Sequence, residues 1–175
     1  MTVHIHVRDL PVTQIRFHYS VLHEVLISLH VLEDYRSYPL HVNWSIKTLR
    51  KLPREVNRER EYFQVVIATL IFWLWKADGT GISSFAEELQ TFEELPLDAF
   101  TTPIISRLVL GEPPSKKTVV DEEVQLEEFY LDPIVQEDAR LWLKTYFPKS
   151  VNLVDDLLTD AKAVKQRFVQ LLQDY

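Results

Sequence analysis

The chain contains no cysteine. That absence removes disulfides, thiolate metal ligands, cysteine nucleophiles and thiol redox chemistry together. It also fits a reducing compartment such as the cytoplasm. Glycine is almost as scarce, with only Gly79, Gly81 and Gly111 in 175 residues. Neither a P-loop nor a GxGxxG turn can be written with these three, so no phosphate-cradling loop is present. No G-x-S-x-G elbow presents a serine nucleophile either. The longest apolar run, Tyr62 to Trp75, has 14 residues and is interrupted by Gln64 and Thr69. A bilayer span needs about 18–20, so this run predicts a buried helix rather than a membrane segment. The first residues, MTVHIHVRDLP, lack the charged start and apolar stretch of a signal peptide.

What is present is ordinary for a folded domain: 46% hydrophobic and 26% charged residues. The length suits a single domain with a core of its own. The net charge of −7 makes the whole chain a poor partner for nucleic acid. The charge is uneven. Lys47, Arg50, Lys51, Arg54, Arg58 and Arg60 face only Glu55 and Glu59 over residues 47–60, whereas residues 85–138 hold 14 acids and 3 bases. Such a division suits either solvated helix faces or head-to-tail contact between chains or domains. Mixed signs and the lack of a turn-plus-recognition-helix pattern argue against direct DNA contact by 47–60.

Periodicity predicts a mainly α multi-helix bundle with a short N-terminal β-strand or hairpin. Val3, Ile5 and Val7 alternate with His4, His6 and Arg8, a period of two over residues 3–8. Ser20 reads as a cap for a helix over 21–34. A second helix reaches about Leu52. Pro53 opens a third that turns from the charged REVNRERE into an apolar core stretch. Ser84 with Glu87 has capping-box spacing. Pro96 and Pro103 punctuate the next apolar run, which stops at Gly111. An acidic helix over 119–129 follows, then a helix opened by Asp132-Pro133, and a last helix capped by Ser150. In that last helix Leu157, Ala161, Val164, Phe168, Leu171 and Tyr175 are spaced 4, 3, 4, 3, 4, which is either a core face or a dimer seam. The stripe is still running at Tyr175, so the chain reads as a single helical domain over 1–175, a short β segment followed by helices from 20, and as a fragment of a longer polypeptide.

Two constellations are candidates for chemistry. All six histidines lie within the first 41 residues, and His23, His30 and Asp34 fall on one side of a helix. Imidazole with carboxylate suits Zn²⁺ or Ni²⁺, but neither HxxxH nor HExxH spacing occurs. Phe72, Trp73, Trp75 and Phe85 could line a pocket for a small apolar ligand between helices, although aromatic residues at helical spacing more often make core. Adjacent carboxylates such as Glu87/Glu88 and Asp155/Asp156 point apart on a helix and read as solvated faces. Nothing here forms a catalytic or cofactor-binding set.

Asp9-Leu10, Ile15-Arg16-Phe17, Ser20 with Leu22-His23-Glu24, Ser28–Leu32, Tyr38–His41 with Trp44, and Leu49–Pro53 occur in an order and spacing that carry a resemblance over residues 3–75. They resemble the N-terminal helical region of bacterial ArsR-like transcriptional regulators, which precedes a C-terminal winged helix-turn-helix. Val21 stands where that family usually has proline, and the winged helix is absent from this chain. The resemblance implies a cytoplasmic, non-enzymatic regulatory and dimerising domain that needs no cofactor and reaches DNA only through the absent half. A metal-binding sensor or hydrolase using the N-terminal histidines is the alternative.

Overall fold

Helix α1 (Val21–Glu33) begins where its cap is expected. The Ser20 hydroxyl accepts a hydrogen bond from the His23 amide at 3.0 Å, and Leu22, Leu26, Leu29 and Leu32 form its buried stripe. The computed structural model describes residues 19–74, 84–111 and 124–175, with residues 72–74 and 124–126 described by their backbone alone. The strand expected over residues 3–8 lies outside the described residues. Among those described, the architecture is mainly α, with no strand.

Two short 3₁₀ turns, Tyr35–Ser37 and Pro39–His41, lead into α2 (Val42–Leu49). Beyond it come α3 (Arg54–Tyr62), α4 (Gln64–Leu74), α5 (Phe85–Glu94), α6 (Leu97–Leu110), α7 (Val124–Leu131), α8 (Pro133–Tyr146), a 3₁₀ turn at Pro148–Ser150, and α9 (Leu153–Asp174). Two caps match the expected chemistry. Ser84 and Glu87 complete a reciprocal capping box at the start of α5. Asp132 accepts from the Ile134 amide at 2.8 Å, with Pro133 in the first turn of α8.

Three expectations need correction. The single helix expected from Pro53 through the apolar run is two helices, broken at Phe63 (φ −87°, ψ 13°). The break separates unlike environments: charged α3 lies against α9, while α4, apolar nearly all round, packs on α1 and α6. Pro103 does not interrupt its run. Helix α6 passes through it, giving up only the bond that an amide at 103 would donate to the Ala99 carbonyl. Buried Phe100, Ile104, Ile105 and Leu108 on either side hold the helix together. Ser150 does not cap α9. It is buried in the 3₁₀ turn, and Asn152 precedes the first residue of the helix.

Gly111 ends α6 in the left-handed region at φ 58°, where a side chain is strained. A Cβ there would also meet the Trp142 ring at 3.4 Å.

The interior is one continuous cluster. At its centre Phe168 of α9 sits among Phe63 (5.1 Å between ring centroids), Phe92 (5.9 Å) and Phe100 (6.0 Å). Helices α5, α6 and α9 and the α3–α4 junction thus converge on one ring, and α9 touches α3, α5, α6 and α8. Helix α9 is not continuous. Asp160 leaves helical geometry (φ −156°, ψ 81°), and its carboxylate accepts from the Ala163 amide at 2.9 Å, restarting the helix as an internal cap.

Candidate functional site

The side chains proposed as metal ligands are engaged elsewhere. His23 Nε2–H donates to the Ile71 carbonyl at 3.0 Å, tying α1 to α4. His30 packs edge-on against Tyr38, and burial lowers its pKa against the opposing pull of Asp34. Asp34 accepts from the Ser37 hydroxyl at 2.5 Å in the turn that follows α1. Among the described residues no three histidine, aspartate or glutamate side chains gather closely enough to hold a metal ion. His4, His6 and His18 lie outside the described residues.

Of the four aromatic pocket residues, the side chain of Phe85 alone is among those described. Phe85 is partly buried against the core at the start of α5. Phe72 and Trp73 belong to the backbone of α4, and Trp75 lies outside the described residues. Trp44 is exposed on α2. Two open clefts among the described residues have charged side chains at their walls, the second with Leu95, Leu97 and Val169 among them. One, of about 270 Å³, lies among Arg58, Glu61, Tyr62, Lys149 and Arg167. The other, of about 530 Å³, runs between the α5–α6 corner and α9 past Glu93, Lys162, Lys165 and Gln166.

The heptad-like stripe of the last helix is core. Leu157, Val164, Phe168 and Leu171 are all 2% exposed or less, buried against the chain's own helices, and Ala161 and Tyr175 pack beside them. The stripe therefore presents no seam to a second chain.

What sequence reading missed is a set of charged groups that fix the helices to one another. Arg60 is only 4% exposed, donates to Asn57 Oδ1 from two nitrogens (3.0 and 3.2 Å), and pairs with Glu33 of α1. Burial raises the Glu33 pKa, while Arg60 pulls it back. The run REVNRERE looks uniformly solvated, yet Val56, Arg60 and Phe63 fall at spacings of 4 and 3 on one buried face. That spacing was the available signal.

Helix α9 is held on its polar side too. Arg167 reaches Glu59 at 2.9 Å and Asp156 at 3.5 Å, and its guanidinium lies 4.5 Å over the Tyr62 ring. The Tyr62 hydroxyl donates to Asp156; burial first, and then that bond, push its pKa above the usual phenol range. Lys165, 8% exposed, donates to the Glu93 carbonyl at 2.8 Å and the Leu95 carbonyl at 2.5 Å, neutralising the C-terminal end of α5. Burial lowers its pKa, with Glu93 opposing. At the opposite end of α5's influence, Glu88 accepts from the Ser20 hydroxyl (2.7 Å) and the Leu22 amide (2.8 Å), so a carboxylate from α5 caps α1.

Two exposed faces remain. On one, Leu40 is 93% and Trp44 42% exposed, and the exposed bases Lys47, Arg50, Lys51 and Arg54 follow. On the other, at the α7–α8 corner, Leu131 is 79%, Ile134 72% and Leu141 61% exposed, among the exposed acids Glu127, Glu128, Glu137 and Asp138. No helix among the described residues is long and apolar enough to cross a membrane.

No curated protein and no solved structure matches the chain. One family model does, over residues 1–175, and its description is a family of unknown function. The chain belongs to this family, DUF5937.

Proposed function

We propose that this chain is the regulatory domain of a bacterial winged-helix transcriptional regulator of ArsR-like type, acting in the cytoplasm by protein–protein contact rather than catalysis. The observation that carries the reading is the position of α9, packed against α3, α5, α6 and α8 around Phe168 and clamped at Arg167 and Lys165. A partner that favours one packing of those helices over another shifts α9 with it, and so biases whatever α9 is joined to. The sequence resemblance over residues 3–75 supports the choice of regulator, and DNA contact belongs to a winged helix outside this chain. A small apolar ligand, where one acts, belongs in this reading with the aromatic residues Phe72, Trp73, Trp75 and Phe85.

The test is made on the natural polypeptide carrying this domain. Light scattering over a concentration series is expected to give a homodimer. Binding to DNA from its own promoter region is expected at about 10⁻⁸ M or tighter. A polypeptide that stays monomeric and holds no DNA overturns the proposal.

A further inference from the structure

We propose that the chain binds a second copy of itself head to tail: the basic face of α2 and the start of α3 in one copy meets the acidic face of α7 and α8 in the other. The inference rests on the self-contact part of the proposed function and names the surfaces that make it.

Each face combines exposed aliphatic or aromatic surface with charge mostly of one sign: exposed Glu55 stands among the bases of one, and Arg140, paired with Glu137 at 3.4 Å, and exposed Lys144 stand among the acids of the other. On the acidic face Ile134 and Leu141 are seven residues apart, two helical turns, so they share one side of α8. Glu137 and Asp138 lie between them on that side. Leu131 extends the apolar surface across the corner into α7, and at 79% exposure it has almost no cover from its own chain. On the basic face Trp44 and Lys47 lie three apart on α2, with Leu40 in the 3₁₀ turn before it and Lys51 in the turn after it, and Trp44 is braced edge-on by His41 at 6.4 Å. Arg54 and Arg58 continue the positive charge one turn apart on α3.

The charges decide the geometry. Two copies meeting through the same face would set Glu137 and Asp138 against their counterparts, or Lys47 and Lys51 against theirs, and like charges across a contact are repulsive. Unlike faces set predominantly opposite charge against each other and cover apolar surface on both sides, with Trp44 as the aromatic anchor. The contact therefore joins unlike faces. Made twice across a two-fold axis it closes as an isologous dimer; made once between each pair it is heterologous and continues as a ring or a chain of molecules.

Sedimentation equilibrium of this chain tests the contact. The wild type is expected to self-associate, with affinity falling about tenfold or more as salt rises from about 50 to about 500 mM. Lys47→Glu/Lys51→Glu removes one face and Glu137→Lys/Asp138→Lys the other. Each variant alone is expected to be monomeric where the wild type pairs. Their equimolar mixture is expected to form a 1:1 complex through the intact face of each. All four positions are exposed, and circular dichroism confirms the fold of both variants. The salt series requires no variant. A wild type that remains monomeric, a dimer indifferent to salt and to both charge sets, or a mixture that stays monomeric overturns the contact. The second of these leaves the regulator reading to be decided by DNA binding, so the two proposals fail separately.

Discussion

Arg60 shows what one misplaced charge is worth. Its guanidinium is buried, hydrogen-bonded to Glu33 and Asn57, with Glu61 at 3.8 Å. Arg60→Ala leaves Glu33 facing a cavity and is expected to cost about 3 kcal/mol in urea unfolding. Glu33→Gln is expected to cost less, about 1–2 kcal/mol, because the glutamine carbonyl can still accept from Arg60 and Glu61 lies 3.8 Å from the guanidinium. Equal losses from the two would show the pair to be the stabilising unit. His30 sets a pH response. Its pKa is lowered by burial, so the unfolded chain binds the proton more readily than the folded one. Stability is therefore expected to be full above the ordinary histidine value of 6.5 and to decline as pH falls through it. In thermal melts at pH 5 and pH 7.5, His30→Gln should show a smaller difference than the parent. An unchanged difference would assign the response to other groups.

At the scale of the element, α9 is two helices in register rather than one rod. Asp160 supplies the joint, and its bond to the Ala163 amide starts the second segment. Asp160→Ala removes a cap and is expected to cost about 1 kcal/mol. A stabilising effect would mean the break is strain rather than design. Phe168→Ala empties the point where α3, α5 and α6 meet α9, and is expected to cost about 3–5 kcal/mol. Since Phe168 is interior, the surviving folded fraction should keep the wild-type association state by light scattering. Loss of association in a folded variant would return the stripe to the role of a seam.

Most of the helices were legible because their ends carry side-chain signals: Ser20, Ser84 with Glu87, Asp132-Pro133 and Gly111. The break at Phe63 was not, since the residues around it continue a helical pattern and only the packing of α4 against α1 and α6 distinguishes the two halves. The Asp160 joint was hidden for the same reason, because the apolar stripe stays in phase across it. Whether that stripe faced a core or a partner was undecidable from spacing alone, for both need the same residues. The candidate site fared worse. Glu88, Arg60 and Lys165 find partners that are 66–68, 27 and 70–72 residues distant in the chain, and no local pattern reports such pairings. The polarity of charge was legible from the start, and it is the whole-molecule feature on which self-contact depends.

The carboxylate of Glu88 has one more implication, and it concerns time rather than geometry. The Val21 and Leu22 amides at the head of α1 are held by a residue from α5, not by their own helix. Their protection from solvent deuterium should therefore appear only when α5 docks, and should vanish together with that of α5 when the two separate. In a native-state exchange experiment these amides would report the opening of a helix more than sixty residues away. If they exchange with the rest of α1 instead, α5 opens no earlier than the core itself.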